Sequence, residues 1–160
     1  MTDDSLLHRQ VHPIHIQQGR VTSQVFRPTP KDSKRLSVYD GDQIDAEAAW
    51  EHYTGGLGYN SVGVLSVTVR ECQDEELPVH ADPEPFPEHA VIDFTACSSN
   101  QIKSKAKRLK VVAEARGWQY THRLIIICNA QAVDDSGDPP QADWTIKNSL
   151  SALVAVLVDR

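Results

Sequence analysis

Cysteines, aromatic residues and long apolar runs are all scarce in this sequence. The three cysteines, Cys72, Cys97 and Cys128, are odd in number and have no CxxC spacing, which argues against a disulfide framework and favours free thiols in a reducing compartment. No apolar run approaches the roughly 20 residues that cross a bilayer. The first residues, Met-Thr-Asp-Asp, lack the apolar core of a secretory signal. These absences predict a soluble, cytoplasmic protein with no membrane partner.

Recognisable catalytic signatures are also missing. The chain has no GxGxxG, Walker P-loop, GxSxG or HExxH pattern, each of which places reactive groups at a fixed spacing. An enzyme can lack all of them, so the sequence leaves enzymatic activity open. It predicts no cofactor and no metal site. His8, His12 and His15 are close together, but Pro13 breaks the helix that would align them, and no further ligand follows at a zinc-binding spacing.

Charge is the most uneven property of the chain. The 160 residues include 16 lysines and arginines against 22 acids, a net charge of −6. Residues 5–35 hold six basic side chains and one acid, residues 36–97 hold one and thirteen, and residues 98–117 hold six and one. Such blocks either steer a charged partner or neutralise one another in the fold, and the sequence leaves both readings open.

The stretch from Arg20 to Gly41 carries the densest set of chemically useful side chains. Alternation at 21–26 and again at 35–39 predicts two strands. Between them, Arg27-Pro28-Thr29-Pro30 is kept extended and stiff by its prolines. A pre-ordered loop loses less entropy on binding, and cations beside hydroxyls suit a phosphate or a carboxylate. The alternative is a solvated hairpin that is basic without having a ligand.

Candidate site residues come from this stretch and from the histidines before it. Imidazole titrates near neutral pH and can serve as a general base, and a hydroxyl lies close to the cations in sequence. The predicted catalytic residues are His8, His12 and Ser23. The predicted binding residues are Arg20, Arg27, Lys31 and Arg35, together with Lys103, Lys107 and Lys110 further along the chain.

Residues 98–117 give the clearest helix pattern. Ser98 or Ser99 is a good N-cap, and Gly117 fits the position after the last helical residue. The apolar stripe at helical spacing is Ile102, Ala106, Leu109 and Ala113. The three lysines of this helix form a row on one flank, a common footprint of polyanion binding. Most basic helix faces are simply solvated, so that reading also stays open.

The remaining patterns complete an α+β prediction. They indicate a helix at 42–54 capped by Asp45, with His52 facing solvent, strands at 61–70, 89–96 and 124–130, and a helix at 144–158. Residues 73–88 and 134–140 are predicted loops, the first acidic and proline-rich, and residues 1–4 are expected to be disordered. We expect a single domain over residues 5–160. Its mixed or antiparallel sheet has four or five strands, with helix 98–117 on one face and a C-terminal helix beside it. The strand, helix and strand at 89–96, 98–117 and 124–130 fit a βαβ crossover.

Three functional hypotheses fit these patterns. The first is a small binding, regulatory or accessory protein, of bacterial type, that recognises an anionic or protein partner. The second is a small enzyme acting on a nucleotide or phosphorylated substrate, with ADP-ribosyl transfer or phosphate chemistry as examples. The third is a nucleic-acid binder that uses the basic helix, against which the acidic net charge speaks.

Overall fold

The computed structural model describes residues 1–122. Its strands are β1 (Leu6–Gln10), β2 (Ile16–Gln17), β3 (Arg20–Val21), β4 (Arg35–Asp40), β5 (Gly63–Thr68), β6 (Val79–Ala81), β7 (His89–Asp93) and β8 (Tyr120–Thr121). Its helices are α1 (Ala46–Glu51), α2 (Val69–Asp74) and α3 (Ser99–Arg116). Short 3-10 turns cover Pro13–His15, Ser23–Phe26 and Pro30–Asp32, and a π-helical turn, His52–Gly56, continues α1.

Six of the strands form one sheet in the order β6-β7-β4-β1-β5-β8, and β2 pairs with β3 separately. Every pairing in both sheets is antiparallel. The predicted α+β class is therefore confirmed, with six strands in the main sheet instead of four or five. The predicted strand 124–130, with Cys128, the loop 134–140 and the helix 144–158 lie outside the described residues.

Helix α3 covers one face of the sheet, and its ends form as the sequence predicts. Ser98 Oγ accepts from the Gln101 amide at 3.4 Å, and the Gln101 side chain accepts from the Ser98 amide at 2.8 Å. Gly117 follows the last turn with a φ of 87°, a conformation that glycine adopts at little cost. The stripe residues Leu109 and Ala113 are fully buried, against Leu7, Leu36, Leu65 and Ile92 in one apolar core.

Helix α1 and its π-helical extension lie at the opposite face. Asp45 caps α1 as predicted, because its carboxylate accepts from the Ala48 amide at 2.8 Å. Ala46 and Ala49 are buried. On the sheet beneath, the Gln10 side chain donates to the Ala49 carbonyl at 3.0 Å. In β1, His8 and Gln10 therefore point to the side of α1, while Leu7 and Arg9 belong to the other face of the strand.

Two sequence predictions need correction. The strand predicted over 21–26 ends at Val21, and Ser23–Phe26 forms a 3-10 turn. Val25 and Phe26 are both fully buried, which neighbours in a strand achieve only in a sheet covered on both faces. The loop predicted over 73–88 contains the end of α2 and strand β6.

The N-terminal residues are held by contacts. The Ser5 amide donates to the Thr2 carbonyl, and Arg70 pairs with Asp3 at 3.1 Å, whereas the sequence suggested disorder for residues 1–4. Within residues 1–122 no helix combines the length and the apolar character that a membrane span requires.

Candidate functional site

A cavity opens where the two central strands separate. Strands β1 and β4 pair only at Leu7 with Asp40 and at His8 with Tyr39, whereas β1 and β5 pair over five residues, as do β4 and β7. The space beyond these two pairs has a volume of about 420 Å³, within the range typical of small-molecule sites. The strands contribute His8, Arg9, Gln10, Ser37, Val38 and Tyr39 to its lining.

Arg9 reaches across this opening. Its Nε donates to the Val25 carbonyl and its Nη1 to the Ser37 carbonyl, both at 2.8 Å. A guanidinium has five N–H donors, so three of them have no acceptor among the described residues. Arg9 also takes part in none of the ion pairs within residues 1–122.

The Arg9 charge is thus held in the cavity wall without a directly paired carboxylate. Burial lowers the pKa of Arg9, and the nearby Tyr53 and Asp32 act in the opposite direction. The guanidinium still remains charged, because no ordinary shift brings an arginine near neutral pH. Burying a cation costs free energy unless an anion compensates it. This arrangement is therefore suited to receiving an anion.

Aromatic rings form the wall nearest α1. Phe86 stacks on Tyr39, with ring centroids 5.0 Å apart at 25°, and His52 meets Phe86 edge to face at 4.8 Å. Tyr53 and Tyr59 lie 5.1 Å apart at the rim. Flat apolar rings of this kind pack well against a ligand ring. The prediction that His52 faces solvent is wrong, since it is half-buried and its Nδ1 lies 3.0 Å from the Tyr39 hydroxyl.

Strand register places four polar residues in one row beneath these rings. Ser66 pairs with His8, His8 with Tyr39, and Tyr39 with His89, so the four side chains share a face of the sheet. Burial raises the pKa of the Tyr39 hydroxyl, which therefore stays protonated at neutral pH.

One ring nitrogen of His8 is hydrogen-bonded to a buried residue of the neighbouring strand, Ser66. Its Nδ1 lies 2.7 Å from the Ser66 hydroxyl, and Ser66 is fully buried. Burial lowers the pKa of His8, and the carboxylates of Asp45 and Asp40 together with the Ile44 backbone only partly oppose it. The imidazole is therefore neutral at pH 7. The pair stabilises the row, and the enclosed Ser66 hydroxyl is not placed to attack a substrate.

Of the two histidines in the cavity lining, His8 and His89, the second has a ring nitrogen without a partner among the described residues. Its Nδ1 lies 2.8 Å from the Asp82 carbonyl oxygen and 3.7 Å from an Asp82 carboxylate oxygen. Because a carbonyl can only accept, Nδ1 carries a proton, and in the neutral form of the ring Nε2 is an acceptor. No described residue donates to Nε2, and His89 lines the cavity.

The structure places the predicted site residues in three different surroundings. Of the predicted catalytic residues, His8 lines the cavity. His12 accepts from the Ile14 amide at 3.1 Å within a turn, and Ser23 begins the 3-10 turn that follows β3. Neither His12 nor Ser23 lines the cavity.

The cations of the proline-rich stretch do not line the cavity either. Arg20, Lys31 and Arg35 are exposed and Arg27 is half-buried, and none forms an ion pair with another described residue. Between these cations in the sequence, Thr29 and Asp32 line the cavity instead, and the Thr29 hydroxyl donates to Asp32 at 2.6 Å.

Sequence reasoning missed Arg9, although the sequence held a signal for it. Leu7, Arg9 and Val11 occupy every second position of the chain and therefore share one face of the strand. Leu7 and Val11 are fully buried. Arg9 is therefore a charged residue at an inward position of a strand. Charged side chains are rare at such positions unless they are paired or belong to a functional site.

The basic helix is largely neutralised by nearby acids. Lys110 pairs with Glu114 at 2.6 Å, Arg108 with Glu75 at 2.5 Å and Arg116 with Glu71 at 2.6 Å. Lys103 and Lys107 are exposed and have no ion-pair partner among residues 1–122. Two exposed lysines make a much weaker polyanion footprint than the sequence row suggested.

A second concavity, of about 450 Å³, lies between α3 and the residues after α2. Both cations of its lining have partners, because Lys105 contacts Glu76 and donates to the Glu75 carbonyl, and Arg108 pairs with Glu75. We therefore favour the cavity at β1 and β4, whose cation has no such partner. Among the described residues no group of three or more histidine, cysteine or acidic side chains is arranged to hold a metal ion.

Comparisons with known protein families, with curated proteins and with solved structures found no match. The site is therefore interpreted from its own geometry.

Proposed function

We propose that the protein is a small binding protein that takes an organic anion into the cavity at β1 and β4. The observation that carries this proposal is Arg9, a cation in the cavity wall with three unused N–H donors and no ion-pair partner among the described residues. Hydrogen bonds between a guanidinium and a carboxylate or phosphate are among the strongest in proteins.

The rest of the lining fits such a ligand. Phe86, Tyr53 and Tyr59 supply apolar ring surface, while Tyr39 supplies a neutral hydroxyl. Leu57 lies at the rim and is 40% exposed, so the cavity is accessible from one side. We further propose a cytoplasmic location, in keeping with the free thiols of the buried Cys72 and Cys97.

A second candidate function is an enzyme acting on a nucleotide or another phosphorylated substrate in the same cavity. It is supported by His89, because an imidazole oriented by a carbonyl and a carboxylate is a typical general base. Binding of the anion comes first in either case, so the first experiment addresses binding.

The experiment measures thermal stabilisation and calorimetric binding of the full chain with four probes: inorganic phosphate, acetate, benzoate and adenosine monophosphate. Two variants alter the cavity. Arg9→Met removes the cation, and Leu57→Trp fills the rim without touching the core. Their matched controls are Arg20→Met and Ile14→Trp, at positions that are exposed and outside the lining.

We expect at least one organic probe to bind wild type and both controls, and to bind Arg9→Met and Leu57→Trp at least tenfold more weakly. A tenfold loss corresponds to about 1.4 kcal/mol, less than a charged hydrogen bond commonly contributes. Arg9→Met also leaves two carbonyls without their donor, so Leu57→Trp provides the test if that variant does not fold. Binding that both cavity variants retain in full, or no binding of any probe, would refute the proposal.

A further inference from the structure

Two polar groups of the cavity lining, the Arg9 guanidinium and His89 Nε2, have unused hydrogen-bonding capacity and lie close to each other in the sheet. Gln10 Oε1, in the same lining, is a further buried acceptor without a partner among the described residues. Arg9 is bonded to the carbonyl of Ser37, and Ser37 pairs with Val91 of the neighbouring strand, β7. His89 precedes Val91 by two residues. One strand spacing and two residues along the strand together correspond to about 8 Å between the Ser37 and His89 backbones.

The two groups have complementary requirements. The Arg9 guanidinium offers only donors, so it requires an anionic acceptor. In the neutral form of the ring, His89 Nε2 is an acceptor because Nδ1 donates to the Asp82 carbonyl, so it requires a donor. A ligand that satisfies both is anionic at one end and carries an O–H or N–H group at the other.

The charge of the lining limits the charge of the ligand. Within the described residues Arg9 is the only lysine or arginine in the lining, and Asp32 is an acid beside it. Each negative charge that a ligand carries beyond the first adds uncompensated charge to a partly enclosed space, which is costly. Counting Arg9 and Asp32, a carboxylate leaves one net negative charge in the cavity and a phosphate dianion leaves two, so the lining favours the carboxylate.

We propose that the ligand is a single-ring aromatic carboxylate with a ring hydroxyl or amino group. Its carboxylate binds Arg9, its ring packs between Phe86 and the tyrosines at the rim, and its hydroxyl or amino group donates to His89 Nε2. A disubstituted benzene ring is comparable in length to the distance of about 8 Å between the Ser37 and His89 backbones. This proposal rests on the proposed anion-binding function and adds the ligand class and a residue, His89, that selects it.

The test uses titration calorimetry on the full chain at pH 7.5, with benzoate, the three hydroxybenzoates and the three fluorobenzoates. Fluorine is close to a hydroxyl in size but cannot donate. We expect at least one hydroxybenzoate to bind roughly tenfold more tightly than the fluorobenzoate with the same substitution, as one hydrogen bond predicts. In His89→Asn the side-chain amide can keep the donor to Asp82 but offers no acceptor at the Nε2 position. This variant should bring that ratio to within about twofold.

The results separate the two proposals. If benzoates bind in a way that depends on Arg9, but wild type binds each hydroxybenzoate and its matching fluorobenzoate with equal affinity, the proposed selection by His89 is wrong and the proposed anion binding stands. If no benzoate binds but phosphate or adenosine monophosphate does, the ligand class is overturned. If none of these anions binds, both proposals fail. The wild-type comparison needs no variant, so it remains decisive even if His89→Asn does not fold.

Discussion

Arg116 joins three elements of the fold through its guanidinium, and replacing it by methionine should destabilise the protein measurably. Its Nη1 donates to the Ser66 carbonyl in β5 at 2.7 Å, and its Nη2 to the Glu71 carboxylate in α2 at 2.6 Å. Methionine keeps most of the apolar stem of the side chain and removes both donors.

The magnitude follows from the two bonds. Hydrogen bonds to charged groups contribute about 1.5–3 kcal/mol each, and both side chains of the ion pair are 25% exposed, which favours the lower part of that range. We therefore expect Arg116→Met to lower the free energy of unfolding by about 2–3 kcal/mol at pH 7, measured by urea denaturation. Arg70→Met is the matched control, because the Arg70–Asp3 pair is 59% and 50% exposed and such pairs contribute under about 1 kcal/mol.

The pH dependence provides an independent check. Burial raises the pKa of Glu71, but the Arg116 hydrogen bond and the Thr68 backbone outweigh it, so the pKa lies below its ordinary value of 4.5. A carboxyl with a depressed pKa stabilises the fold above the unfolded-state value and loses that contribution as the pH falls through the folded-state value. Stability of wild type should therefore decrease more steeply below pH 4.5 than stability of Arg116→Met. A loss below about 0.5 kcal/mol at pH 7, or identical pH profiles, would refute this account of the Arg116 contacts.

Three further predictions concern the core, a close backbone approach and the buried histidine. Leu109→Ala should cost about 3–5 kcal/mol in urea denaturation, because Leu109 is fully buried. Val111 is 55% exposed on the same helix, so Val111→Ala should lower the free energy of unfolding by less than about 0.5 kcal/mol. Equal losses of stability in the two variants would contradict the assignment of the buried face of α3. Gly41→Ala should lower the melting temperature, because a Cβ there would lie 2.7 Å from the Leu6 carbonyl oxygen and 2.9 Å from His8 Nε2; an unchanged melting temperature would contradict this packing. Because the pKa of His8 is lowered in the folded protein, the unfolded chain binds more protons than the folded protein does below about pH 6.5. Stability should therefore fall between pH 7 and pH 5, and less so in His8→Gln, whereas parallel profiles for the two proteins would show that His8 does not titrate as described.

Elements with strong local signals were predictable from the sequence. Helix α3 begins and ends at the residues its capping pattern indicates, because Ser98, Gln101 and Gly117 act within a few residues of one another. Strand β5 carries an apolar run that is buried on both faces, as Val64 and Leu65 show. The same run predicted a strand up to Arg70, but Thr68 and Glu71 form a capping box that starts α2 at Val69.

The candidate site was much less predictable, because it depends on pairing between distant strands. Only the register of β1, β4 and β7 brings His8, Tyr39 and His89 into one row. His8, His12 and His15 are close together in the sequence, yet of these three only His8 lines the cavity. Arg9 carried a local signal in its inward position, but its role depends on the separation of β1 from β4, which no local pattern encodes.

The short ladder between β1 and β4 has a consequence for how the protein responds to its surroundings. It leaves the sheet as two three-stranded halves, β6-β7-β4 and β1-β5-β8, joined by two residue pairs and by a hydrogen bond from the Gly41 amide to the Leu6 carbonyl. A ligand bound in the cavity between β1 and β4 contacts both halves at once and adds to the interactions that hold them together. At a concentration one hundred times its dissociation constant, such a molecule would raise the free energy of unfolding by about 2.7 kcal/mol, so the filled protein would be measurably harder to unfold than the empty one.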